Sequence, residues 1–123
     1  MFELTIITQF AAAHYLRNYK GKCEQLHGHN WKVEVFVRAD QLNSVGLGRD
    51  FGELKAVTHE VLDGLDHRYL NELAPFQVEN PSSEHIARYL FHELSRRLNN
   101  DQAQVSKVAV WESDTACATF LGE

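Results

Sequence analysis

Two histidines separated by a glycine, His27 and His29, open a segment in which Trp31, Val33 and Val35 alternate with polar residues. Residues two apart on an extended chain project from the same face. Both imidazoles can therefore reach one ion, on the apolar side where water is scarce. Gly28 lets the backbone pass close to whatever lies there. His14 shares the parity of Phe2, Leu4 and Phe10 in the first segment. If the two segments pair antiparallel, their adjoining ends bring His14 to the other two. With seven histidines in 123 residues, one His-x-His pair would be unremarkable alone; the third histidine on the matching face makes a metal centre the reading. Three neutral imidazoles favour zinc or a similar borderline ion over magnesium or calcium. Three protein ligands leave a fourth position vacant, as a catalytic site does.

Other residues supply proton chemistry. Cys23 lies four residues before His27. A thiol beside a divalent cation has a lowered pKa and acts as thiolate or base; as a fourth ligand it would instead close the site. Asp66-His67 follows an apolar helical pattern. The carboxylate can orient the imidazole as a proton relay, or the histidine can simply meet a helix C-terminal dipole. Glu112 has the parity of Val108 and Val110 and should point inward. A buried carboxylate needs a partner, so Glu112 is a candidate anchor for a substrate bearing donor groups. Cys117, beside small alanines, reads as core packing. His59, His85 and His92 read as solvated helix-surface histidines.

The elements that must position these groups follow from periodicity. Residues 2–12 and 31–37 alternate as half-buried strands. Residues 43–48 form a turn-rich connection. Asp50 with Glu53 resembles a capping box ahead of Leu54, Val57, Val61, Leu62 and Leu65 at helical spacing. Residues 71–82, with both prolines, read as a loop. Ser82 or Ser83 then caps a second helix with the stripe Ile86, Leu90, Leu94 and Leu98. Residues 105–111 and 116–121 complete the order strand, strand, helix, helix, strand, strand. This is an α+β single domain over residues 1–123, with two helices covering one face of a four-stranded, mostly antiparallel sheet. Its open edges favour pairing with copies of itself. The net charge of -5 and the lack of a basic stripe argue against nucleic acid. No apolar run is long enough to span a bilayer. The start of the chain lacks a signal-peptide pattern, and two cysteines are few for a secreted fold of this size, so a cytoplasmic protein with reduced thiols is expected.

Taken together, several stretches resemble the 6-pyruvoyl-tetrahydropterin synthase family: Phe10-Ala11-Ala12-Ala13-His14, Cys23-Glu24-Gln25-Leu26-His27-Gly28-His29-Asn30, Asp50-Phe51-Gly52-Glu53-Leu54-Lys55, Leu65-Asp66-His67-Arg68-Tyr69-Leu70-Asn71, Glu79-Asn80-Pro81-Ser82-Ser83-Glu84 and Trp111-Glu112-Ser113. The resemblance runs nearly end to end. It implies the tunnelling fold, in which three subunits join their sheets into a barrel and two trimers stack into a homohexamer with active sites at the interfaces. It further implies that His14, His27 and His29 hold one zinc per subunit, that Cys23 is the catalytic base, that Asp66 and His67 form a relay, and that Glu112 grips a pterin ring. The implied substrate is 7,8-dihydroneopterin triphosphate. The spacing of Cys23 resembles the branch that releases triphosphate and acetaldehyde to leave 6-carboxy-5,6,7,8-tetrahydropterin, a precursor for 7-deazaguanine and queuosine. Glu24 also resembles relatives that cleave the same substrate to 6-hydroxymethyl-dihydropterin for folate, which leaves a dual activity open beside the 6-pyruvoyl type. A pterin-binding or zinc-stabilised scaffold without turnover is the non-enzymatic alternative.

Overall fold

The alternation of the first two segments becomes one long antiparallel pair. The computed structural model describes residues 1–21 and 24–122. In it β1 (Phe2–His14) and β2 (His27–Ala39) pair from Phe2 opposite Ala39 to His14 opposite His27. One face of this ribbon buries Ile6, Phe10, Ala12, Trp31, Val33, Val35 and Val37. Each large apolar side chain so buried contributes roughly 1.5–3 kcal/mol. The other face carries polar residues together with Ile7, which is exposed.

Two helices cover the apolar face. α1 (Phe51–Asp63) starts at Asp50, whose carboxylate accepts from the Gly52 N–H at 2.7 Å. The expected capping box is not reciprocal: Glu53 turns instead to Arg49, with Oε1 2.6 Å from the guanidinium, because a cation four residues away offers a charge-assisted bond. α2 (Ser83–Leu98) is capped by Ser82, whose hydroxyl accepts from the His85 N–H at 3.1 Å. Its stripe Ile86, Leu90, Leu94 and Leu98 is fully buried, as are Leu54, Leu62 and Leu65 from the α1 region.

The sheet has one strand more than the expected four. Its order is β3-β1-β2-β4-β5, with β3 (Arg68–Tyr69) parallel to β1, and β4 (Ala103–Ser113) and β5 (Ala116–Phe120) antiparallel to their neighbours. A two-residue strand is too short to carry an alternation. The α+β class stands, with both helices on one face. The loop after β3 holds two single-turn 3-10 helices, Leu70–Glu72 and Ala74–Phe76. β4 is bulged twice, once opposite Phe36 and Val37 and once between Trp111 and Ser113. Cys117 corrects the core-packing expectation: it is exposed, on the edge strand β5.

Candidate metal centre and its surroundings

Pairing of β1 with β2 sets His14 opposite His27 and Ala12 opposite His29, so the three imidazoles converge at one end of the ribbon. Their ring centroids lie 4.7, 4.8 and 5.2 Å apart. Trp31, fully buried, forms the floor, with its ring 4.8 Å from that of His14 and 5.1 Å from that of His29. The indole N–H donates to the Ala12 carbonyl at 3.2 Å, which fixes that floor to β1.

Nδ1 of His14 stands 2.7 Å from the Pro81 carbonyl oxygen, and Nδ1 of His27 stands 2.8 Å from that of Gln25. A carbonyl only accepts, so each Nδ1 carries the hydrogen and each Nε2 keeps its lone pair. Burial holds His14 below the ordinary imidazole range against the pull of the Pro81 hydrogen bond, and neighbouring His27 and His29 lower it further. It is therefore neutral and ligand-ready near pH 7. Among the described residues, nothing hydrogen-bonds to the buried Nε2 atoms of His14 and His29. Buried polar atoms are rarely left so. A divalent ion is the group these lone pairs fit, and the donor atoms of His14, His27, His29 and Glu112 all lie within 4.8 Å of one another.

Glu112, expected to point inward as a substrate anchor, has its Oε1 3.5 Å from Nε2 of His14 and 3.4 Å from Nε2 of His29. Cys23 lies outside the described residues. Glu24 borders the same loop, and its carboxylate accepts from the Leu16 N–H at 3.1 Å while its own N–H donates to the Leu16 carbonyl at 3.0 Å. Glu24 is thus tied to the backbone leaving β1 and is not a solvated loop acid.

Asp66 and His67 are separate from the imidazole cluster and lie beyond α1, which ends at Asp63, so His67 is not a helix-terminal histidine. Asp66 Oδ1 accepts from the Ala11 N–H at 2.9 Å, and the His67 N–H donates to the Ala11 carbonyl. Both free backbone groups at this point of the β1 edge are thereby satisfied. Asp66 Oδ2 lies 3.0 Å from Nδ1 of His67, whose side chain is 82% exposed. The Ala11 hydrogen bond, reinforced by His67, holds the Asp66 carboxyl below the usual carboxylate range. His67 adopts a left-handed backbone (φ 57°), which turns the chain into β3. An open concavity of about 540 Å³ links the two groups: His29 and His67 both border it, with Ala11, Ala13, Gly28 and Asn30. Gly28 is not crowded within the chain, since an added Cβ would meet only the Ala12 oxygen at 3.8 Å. Together with the two alanines it leaves the concavity open.

Sequence reasoning missed the residues that hold these groups. The Asn71 carboxamide accepts from the Tyr15 N–H and donates to the Tyr15 carbonyl, at 3.0 and 2.9 Å. Asn80 does the same to Arg17, at 2.8 and 3.1 Å. His85, expected to be solvated, places Nδ1 2.7 Å from the Asn80 carbonyl and so helps hold the segment that carries Pro81. The sequence reads residues 71–82 as a loop, and nothing in its composition names the strand it would clasp.

A family model for 6-pyruvoyl tetrahydropterin synthase matches residues 3–123. The chain is 41% identical over 117 residues to the 6-carboxy-5,6,7,8-tetrahydropterin synthase of Synechocystis sp., an alignment covering 91% of this chain and 87% of that protein. It is 32% identical over 105 residues to the dihydroneopterin monophosphate aldolase of Pyrococcus furiosus, covering 85% and 84%. The structure of Caenorhabditis elegans 6-pyruvoyl tetrahydropterin synthase matches with a TM-score of 0.86 at 26% identity, covering 99% of this chain and 96% of that one.

Proposed function

This chain belongs to the 6-pyruvoyl tetrahydropterin synthase family and is an enzyme of pterin metabolism, and we propose that it is the zinc-dependent lyase that converts 7,8-dihydroneopterin triphosphate to 6-carboxy-5,6,7,8-tetrahydropterin with release of acetaldehyde and triphosphate. The observation that carries this reading is the pair of buried, unpartnered Nε2 atoms on His14 and His29, beside His27, in a chain of this family.

His14, His27 and His29 would hold the zinc. The chemistry a bound zinc supplies is Lewis acidity toward the side-chain hydroxyls of the substrate. Cys23, four residues before His27, is the base that removes a side-chain proton. Asp66 accepts from Nδ1 of His67 and fixes its tautomer, which leaves the exposed Nε2 to take and return a second proton. Glu112 is the carboxylate suited to the donor edge of the pterin ring. The concavity shared by His29 and His67 supports one substrate between the metal and the relay.

The sheet leaves β5 and most of β1 as edges, and its polar face bare. Such edges are commonly paired, which supports assembly as a homohexamer of two stacked trimers with the sites at subunit interfaces. Among the described residues, no helix is long and apolar enough to cross a membrane. A cytoplasmic role supplying the precursor of 7-deazaguanine and queuosine fits this reading.

Product identity tests it. The purified protein is incubated with 7,8-dihydroneopterin triphosphate and the products are identified by mass. Acetaldehyde with 6-carboxy-tetrahydropterin is expected. 6-Pyruvoyl-tetrahydropterin or 6-hydroxymethyl-dihydropterin would reassign the reaction within the family, and binding without turnover would leave a pterin-binding scaffold.

A further inference from the structure

The sequence leads to three histidine ligands and a fourth position that is either vacant or taken by Cys23, and Glu112 stands beside two of the three imidazoles. Ligands about 2.0–2.1 Å from a tetrahedral zinc stand roughly 3.3 Å from one another. Glu112 Oε1 lies 3.5 Å from Nε2 of His14 and 3.4 Å from Nε2 of His29. These separations exceed the usual hydrogen-bond distance of about 2.9 Å, and neither nitrogen has a hydrogen-bond partner among the described residues. They are close to two of the ligand–ligand separations of such a site, and the donor atoms of His14, His27, His29 and Glu112 all lie within 4.8 Å of one another. Backbone geometry points the same way. The register of β4 against β5 slips between Trp111 and Ser113, which makes Glu112 the bulged residue. A bulge re-aims a side chain out of the regular pleat, here onto the imidazoles.

We propose that Glu112 is the fourth ligand of the metal in the substrate-free enzyme, a displaceable carboxylate cap that yields its position to a substrate oxygen. The inference rests on the reading of His14, His27 and His29 as metal ligands. The Glu112 side chain is 41% exposed, at the end of a strand before the turn at residues 114–115, so it has room to leave. Exchange of one oxygen ligand for another keeps the metal four-coordinate. The freed carboxylate is then available to the donor edge of the pterin. One residue would thus close the metal in the resting state and bind the ring in the loaded state.

Metal binding, read without turnover, tests the cap. The full chain, Glu112→Gln and Glu112→Ala are loaded with cobalt(II), visible absorption is recorded, azide is titrated in, and zinc affinity is measured by chelator competition. Circular dichroism checks that each variant is folded. Both variants are expected to lose at least about tenfold in zinc affinity, the scale of loss already seen for residues that only support a ligand. Their cobalt bands should shift, and azide should bind them at concentrations that leave the wild type unchanged. Identical affinity, spectrum and azide response across the three proteins would overturn the cap while leaving the three-histidine site standing. Failure of the wild type to bind zinc or cobalt at all would overturn both.

Discussion

Nδ1 of His14 donates to the carbonyl oxygen of Pro81 across 2.7 Å, although the two residues are 67 positions apart in the chain. The bond joins the end of β1 to the segment that enters α2, and it leaves Nε2 free for a metal. Asn80 fixes that segment through its paired hydrogen bonds to Arg17. Replacing Asn80 by Ala should loosen the Pro81 carbonyl without touching any ligand. Loss of outer-shell support typically costs about 10–100-fold in metal affinity, and a fall of that size is expected in chelator competition, with the circular dichroism spectrum unchanged. Unaltered affinity would mean that the clasp only tethers the loop.

Asn71 makes the matching clasp on Tyr15, and it is 6% exposed. Asn71→Ala removes two hydrogen bonds and leaves two part-buried main-chain groups to find other partners. Each such group costs about 1–3 kcal/mol when unsatisfied, so a total loss near the middle of that range, about 2 kcal/mol, is expected once water reaches one of them. Urea unfolding at constant m-value measures it. A loss below about 0.5 kcal/mol, the scatter typical of neutral surface changes, would show that solvent replaces the clasp at no cost.

These clasps also mark where sequence reading stops. The strands carrying His14, His27 and His29 were legible because burial on one face imposes a period of two, and parity together with antiparallel pairing of the two strands brings all three imidazoles together. Parity offered a face for Glu112 but not its place beside His14 and His29, because the alternation is broken at that residue by the register shift between Trp111 and Ser113. The bulge opposite Phe36 and Val37 has a trace in the sequence, where the buried positions of β4 pass from Ala103 and Val105 to Val108 and Val110. Asn71, Asn80 and β3 left no such trace. Loop residues that bond to distant backbone, and a strand of two residues, have no period to read.

Metal removal separates a catalytic centre from a structural one. The imidazoles sit at one end of a ribbon paired over its full length, above a core that includes Trp31, Leu54, Ile86 and Leu90. That core does not need the ion, so the chelated protein should remain folded and turn over no substrate. Zinc at 100 times its dissociation constant should then add about 2.7 kcal/mol of stability by mass action, read as a rise in the thermal midpoint that saturates logarithmically. Unfolding on chelation would assign the ion a structural role.

Asp66 imposes a pH dependence of known sign. Its carboxyl is held below the ordinary aspartate value of 3.8, first by the Ala11 N–H and then by His67. Between the folded and unfolded values the unfolded chain binds more protons, so stability rises with pH there. The contribution is complete above 3.8 and is lost as pH falls through the lower folded-state value. The difference in urea midpoint between wild type and Asp66→Asn should therefore shrink as pH is lowered past that point. A difference independent of pH would mean that the charge on Asp66 adds nothing to its hydrogen bond with Ala11.

His67 offers a direct test of the relay, because its left-handed backbone and its ring can be separated. The backbone N–H holds the Ala11 carbonyl, while the ring stands in solvent beside Asp66. Asparagine tolerates a left-handed φ better than most residues, so His67→Asn keeps the turn into β3 and removes the imidazole. Positioned general acid–base groups contribute about 10²–10⁴-fold, and kcat on 7,8-dihydroneopterin triphosphate should fall by that factor while bound zinc and the thermal midpoint stay constant. At 82% exposure, the space left by the ring is open to added imidazole, which should restore part of the lost rate in proportion to its concentration. A purely structural histidine would give no such rescue, and wild-type turnover in His67→Asn would remove His67 from the mechanism.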